Sequence, residues 1–163
     1  YTRMIKAYST DYRTRLCEFF SKIIETHKAY ISHGELQMGV ALDSNELAPD
    51  YQEAWLKYLD RQVANPDNTL LLYLDEEEIT GFILFGITED GAAPYGQVFD
   101  LSVDPAYRGK HIGQELLQRA TTSFRERGVK AWYLESGVNN HSAHRFFEHH
   151  GFQQVSDIFR LKL

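Results

Sequence analysis

The stretch that decides the fold reads VFDLSVDPAYRGKHIGQELLQRA, residues 98 to 120. It opens as an apolar run, turns through YRGKHIG at 107 to 113, and continues into a segment of helical period. Ile112, Leu116, Leu117, Ala120 and Phe124 share one face of that segment. A strand therefore feeds a helix through a short, positive, glycine-punctuated turn. A helix that starts near Lys110 leaves its first backbone N–H groups without intrahelical partners, at the positive end of its dipole. Gly109 and Gly113 thin the turn, and Arg108 and Lys110 add charge. Such a turn suits a phosphate or pyrophosphate, although a plain surface loop has the same composition. Neither G-x-x-x-x-G-K-[ST] nor G-x-G-x-x-G with a later acidic residue fits it.

Downstream, Arg125, Arg127 and Gly128 are good chemistry for a helix end, and KAWYLES (130 to 136) returns as a strand. Residues 96 to 136 are thus strand, helix, strand, and a crossover of that length lets the two strands run parallel. Upstream, RMIKAY (3 to 8) reads as an opening strand. From Asp11, with STD as the capping cluster, Leu16, Phe19, Phe20, Ile23, Ile24 and Ile31 follow helical spacing up to a stop at Gly34. Tyr51, Trp55, Tyr58, Leu59 and Val63 give a second helical stripe, ended by Asn65-Pro66. TLLLYL (69 to 74) and ITGFILFGI (79 to 87) flank the acidic turn DEEE as a hairpin, and GQVFDLSV (96 to 103) is the next strand. A short helix over 140 to 149 precedes FQQV and IFRLKL, which complete the chain. Strands flanked by helices indicate one layer of sheet in an α+β or α/β domain.

At 163 residues the chain is expected to form one domain, 1–163, long enough to close a core. No apolar run approaches the roughly 20 residues of a membrane span, and YTRMIKAYSTDYR lacks the apolar stretch of a secretory signal. Cys17 is the only cysteine, so no internal disulfide is available and a cytoplasmic location is expected. The net charge of −6, with no basic cluster interleaved with aromatics, argues against a nucleic-acid partner.

A second motif gives the turn its meaning. NNHSAHRFFEHHGF (139 to 152) follows the strand at 130 to 136. With it, the chain resembles the GCN5-related N-acetyltransferase family. That family carries Q/R-x-x-G-x-G/A after its fourth strand, here Arg108 to Gly113. It also carries N-x-x-A-x-x-[FLI]-[YF]-x-x-x-G-F, here Asn140, Ala143, Phe146, Phe147, Gly151 and Phe152. The resemblance implies an α/β (α+β) fold. Its mixed, mostly antiparallel sheet would have six to seven strands, with a parallel splayed pair at about 96–103 and 131–136 and about four helices. It implies acetyl-CoA as co-substrate, no metal, and a small-molecule or peptide amine as acceptor. A homodimer is an option, with no interface located.

By the same resemblance, Arg108, Gly109, Lys110, His111, Ile112 and Gly113 carry the pyrophosphate. The backbone at Leu101 and Val103 pairs with pantetheine like an added strand. The Leu101 N–H polarises the thioester carbonyl, and Asn140 contacts the cofactor arm across the wedge. The attacking amine must lose a proton. Asp100 is the candidate base, with Gln97 holding a relay water; the alternative is a structural carboxylate. Strand alternation sets Asp100 on the face opposite Phe99 and Leu101.

Two positions depart from the family pattern. His111 stands where the family turn has glycine, which a β-carbon tolerates if φ stays negative; it is either an exposed side chain or an added donor to phosphate. Phe147 stands where many relatives have the tyrosine that protonates the departing thiolate. Water, Ser142 or a tyrosine such as Tyr30 would then supply that proton, or the chain is a catalytically silent acyl-CoA-binding sensor. His141, His144, His149 and His150 cluster without H-E-x-x-H or a thiolate, as a solvated helix face does. For the acceptor, Tyr30, His33, Glu35, Asp43, Glu46 and Tyr51 form an acidic, aromatic set suited to a cation, although a solvated loop has the same content.

Overall fold

A computed structural model describes residues 2–90 and 93–163. Five strands, β1 (Arg3–Ala7), β2 (Asn68–Asp75), β3 (Glu78–Thr88), β4 (Tyr95–Val103) and β5 (Trp132–Leu134), form one sheet in chain order. Every neighbouring pair is antiparallel except β4 and β5, which are parallel and joined through a helix. The β2–β3 hairpin turns through Glu76 and Glu77, both at positive φ (48° and 72°), as a tight two-residue turn requires.

Helices α1 (Arg13–Thr26) and α3 (Tyr51–Ala64) cover one face, and α4 (Ile112–Glu126) and α5 (His141–His149) the other. The first layer packs Leu16, Phe19, Trp55 and Leu59 onto Leu72, Phe82 and Leu84. The second packs the α4 stripe, Ile112, Leu116, Leu117, Ala120 and Phe124, onto Ile83, Phe85 and Val98. Burying each such side chain contributes about 1.5–3 kcal/mol, so the two layers hold β3 firmly between them. The burial of β3 on both faces explains its unbroken apolar run.

Three expectations need correction. The described sheet has five strands rather than six to seven, because residues 152–163 carry no strand. β5 spans three residues and offers a short edge for pairing, while Arg160 and Lys162 reach Asp43 at 3.2 and 3.8 Å. Phe159 and Leu161 are left 91% and 83% exposed. The described helices number five, not about four. His27 breaks α1 at φ −131°, ψ 73°, so Ile31 lies beyond it and Gly34 falls inside an extra helix, α2 (His33–Gln37). Ser9-Thr10-Asp11 leads into a 3₁₀ turn (Thr10–Tyr12) without a side-chain cap. No described helix is long and apolar enough to cross a membrane.

Candidate functional site

The site begins with a counting mismatch between β3 and β4. Leu84 pairs with Asp100 and Phe85 with Val98, so Phe99 is an extra residue in β4. A bulge of this kind bends a strand and re-aims its side chains. Val98 and Leu101 pack on the α4 side, while Phe99 packs toward α1 and α3. Asp100 also turns to that side, where Tyr58 of α3 meets it. The strand alternation expected for Asp100 therefore holds against Leu101 and fails against Phe99. The physical reason is the bulge.

The same region is where β4 and β5 part. Their parallel pairing covers only Gly96–Trp132, Gln97–Tyr133 and Val98–Leu134. Past Val98, no strand pairs with β4 on that side among the described residues. A cleft of about 660 Å³ opens there, walled by α1, α2, α3, β4 and the segment after β5. Asp100, Leu101, Gln97, Asn140 and Phe147 line it together with Tyr30, His33 and Glu35. Residues read from opposite ends of the sequence thus converge. Gly137 closes one end; a β-carbon there would come within 2.9 Å of the Ala29 and Ile31 carbonyls, so only glycine admits this approach.

Asp100 is half-buried. Desolvation pushes its carboxyl up to about 7; the Tyr58 hydroxyl, donating to Oδ2 at 2.8 Å, pulls it down, and the charge of Glu35 pushes it up again. Glu35 itself is raised by burial, with Ser32 Oγ donating to it at 2.9 Å. Neither carboxylate has a Lys or Arg within ion-pair distance among the described residues. His33 of α2 pairs with Glu135, just past β5, at 2.9 Å and so bridges the cleft's two sides. A half-buried carboxyl that titrates near neutrality, next to an open cleft, can accept a proton from a bound amine.

The positive turn lies at the C-terminal end of β4. Asp104 anchors its approach: one carboxylate oxygen accepts from Ala106 N–H at 3.0 Å, the other from Lys22 Nζ at 2.6 Å. Arg108, Gly109, Lys110 and His111 are exposed. The first backbone bond entering α4 runs from Glu115 N–H to His111 C=O at 3.0 Å. The N–H groups of Ile112, Gly113 and Gln114 therefore precede the helical ladder. The helix starts at Ile112 rather than near Lys110, and the Ile112 side chain is buried in the core. Gly113 lets α5 approach: a β-carbon there would sit 3.3 Å from the Phe146 ring. His111 adopts φ 62°, ψ 20°, the left-handed region, and not the negative φ expected of it. Its place in the turn demands the conformation that glycine takes freely.

Asn140 is buried and caps α5, its Oδ1 accepting from Ala143 N–H at 3.4 Å. Val103 packs in the α4 layer beside Leu101. Phe147 stacks edgewise on Phe146 and Phe152 with centroids 5.7 and 5.6 Å away. Ser142 is exposed and hydrogen-bonds Asn140, whereas Tyr30 lies on the cleft wall. Of the acceptor set, Asp43, Glu46 and Tyr51 are not among the lining residues; Asp43 pairs with Arg160 and Tyr51 donates to Glu25. Along α5, His141 meets His144 at 5.8 Å between ring centroids, and His149 meets His150 at 5.3 Å. Sequence reasoning missed Tyr58, Arg61 and Glu135 as wall residues. Tyr58 was legible only as one more position of an apolar stripe, since spacing says nothing of where a hydroxyl lands.

Residues 37–152 match the model of the acetyltransferase (GNAT) family. The chain is 30% identical over 133 residues to a mycothiol acetyltransferase from Propionibacterium freudenreichii, covering 80% of this chain and 38% of that protein. The chain thus spans about two fifths of that relative's length. It is 27% identical over 86 residues to a [ribosomal protein bS18]-alanine N-acetyltransferase from Haemophilus ducreyi, covering 53% of this chain and 57% of that one. Among solved structures, an aminoglycoside N-acetyltransferase in complex with CoA superposes with a TM-score of 0.72 at 11% identity. That match covers 99% of this chain and 95% of the other, and it is a likeness of fold.

Proposed function

Because the chain belongs to the acetyltransferase (GNAT) family, we propose that its 163 residues work as one domain that moves an acetyl group from acetyl-CoA to a primary amine of a small molecule or peptide. The amine attacks the thioester directly. One observation carries the reading: a single cleft, opened where β4 and β5 part, brings together Asp100, Leu101, Asn140 and Phe147.

In this reading the N–H groups of the turn from Arg108 to Gly113 hold the pyrophosphate, and Arg108 and Lys110 add positive charge beside it. His111 and Ile112 contribute through their backbone, since the Ile112 side chain is committed to the core. The pantetheine arm lies along β4 past Val98, where no strand among the described residues neighbours the outer edge, with Leu101 and Val103 on one side and Asn140 and Phe147 on the other. A backbone N–H at Leu101 stabilises the oxygen of the thioester carbonyl as it gains charge, an effect of order 10²–10³ in rate for a single donor. Asp100 takes the proton of the amine. The acetyl group passes to nitrogen as the C–S bond breaks, and the thiolate leaves with CoA. Phe147 holds no proton to give it. CoA thiolate is a good leaving group, and water completes the exchange.

The cleft wall also speaks for the acceptor. Glu35, Asp100 and Glu135 outnumber Arg61 among its charged side chains, with Tyr30, Tyr58 and Phe20 beside them, which suits a cationic amine. Thiol release from acetyl-CoA against a panel of amines, amino-terminal peptides and aminoglycosides tests the proposal. Turnover on one class supports it; tight acetyl-CoA binding with turnover on none favours the sensor reading that Phe147 raises.

A further inference from the structure

We propose that Tyr58 is the positioning residue for the reaction: its hydroxyl, donated to Asp100 Oδ2 at 2.8 Å, fixes the carboxyl that receives the acceptor's proton. This rests on the reading of Asp100 as the base. The two residues come from different elements, 42 positions apart, and meet on the wall of the same cleft. Trp55 and Leu59, which flank Tyr58 on α3, are 2% and 1% exposed, so the helix that carries the phenol is locked in the core. The phenol is therefore held by the fold and not by the carboxylate.

A single donor on Oδ2 leaves Oδ1 to face an incoming amine. Tyr58 can serve only as a donor here. Burial and the adjacent Asp100 charge push its hydroxyl far above the ordinary tyrosine range, so it keeps its proton throughout the working pH range. It also tilts the balance at Asp100. The other charged and titratable groups that line the cleft with this carboxyl are Glu35 and His33 from α2, Arg61 from α3 and Glu135 from beyond β5. Burial and Glu35 oppose its ionisation, and Tyr58 is what favours it. With its hydroxyl committed in this way, Tyr58 does not replace the proton donor missing at Phe147.

The test is a titration of the Asp100 carboxyl by ¹³C NMR in the full chain with acetyl-CoA bound, the resonance assigned with Asp100→Asn. Tyr58→Phe should raise the midpoint by about one pH unit, the consequence of losing one hydrogen bond to a charged group. The acid limb of kcat/KM for 1,4-diaminobutane should move the same way, with KM for acetyl-CoA unchanged. A loss equal at every pH, with the carboxyl midpoint unmoved, would mean that Tyr58 is only structural and would overturn the proposal. Should Tyr58→Phe fail to fold, 3-fluorotyrosine placed at position 58 gives a stronger donor and must lower the midpoint; no movement overturns it equally. Full turnover by Asp100→Asn would remove the reading of Asp100 as base, a separate result from the Tyr58 titration.

Discussion

Leu84 on β3 stands opposite Asp100 on β4, yet the next residue along β3, Phe85, stands opposite Val98. One residue of β4 is thereby left over, and everything after it changes face. Without the extra residue Asp100 would share the side of Val98 and point into the apolar layer under α4. With it, the carboxyl meets Tyr58 and opens onto the cleft.

This placement sets a pH dependence. The Asp100 carboxyl sits at about 7, above its ordinary 3.8, so the native state holds that proton more tightly than the unfolded chain does. With Asp100 as the proposed base, protonated below about pH 7, kcat/KM should rise with pH through about 7. Stability runs the other way: the contribution from this group is complete below the ordinary carboxyl range and is lost as pH rises through about 7. Asp100→Asn should therefore slow turnover by roughly 10²–10⁴ and yet melt at a higher temperature than the native chain at pH 8. Rate profiles and calorimetry at pH 6 and 8 check both halves.

Glu35 gives a prediction about the acceptor. Its carboxylate faces the cleft from α2 without an ion-pair partner among the described residues. Glu35→Gln should narrow the preference for 1,4-diaminobutane over n-butylamine by about tenfold, the scale of one hydrogen-bonded charge. Steady-state kinetics with the two amines measures the ratio directly.

At Phe147 a hydroxyl can be restored. The ring packs between Phe146 and Phe152 and borders the cleft. Phe147→Tyr should keep acetyl-CoA affinity and leave turnover equal or faster. Loss of acetyl-CoA binding, read by calorimetry, would contradict the place given to this residue beside the cofactor arm.

The left-handed backbone at His111 carries a cost. Replacing a non-glycine residue in that region recovers about 1–2 kcal/mol, from which about 0.4–1 kcal/mol of unfolded-chain entropy is subtracted. His111→Gly should thus stabilise the chain by roughly 0.5–1 kcal/mol in chemical denaturation. Acetyl-CoA affinity should hold or improve, because the turn's N–H groups are unchanged.

Much of this was legible in the residues. The stripe from Ile112 to Phe124, the hairpin around DEEE and the strand–helix–strand of 96 to 136 all formed as their periods implied. Helix ends were less legible where they depended on one residue's backbone, as at His27. The acceptor set divides in the structure. Tyr30, His33 and Glu35 reach the cleft, while Asp43 is taken up by Arg160. Nothing in the neighbourhood of Asp43 announces a partner that lies 117 positions later.

The sequence by itself determined the β2–β3 hairpin, the α4 stripe and the turn before it, because helix period and turn-residue placement are local and act over a few residues. Only the tertiary structure decided which way Asp100 points and what it meets. β3 is apolar and buried along nearly its whole length, so it carries no alternation that would assign a register to the strand beside it. The register, and with it the bulge at Phe99, is settled when two packed layers close on β3 from opposite sides.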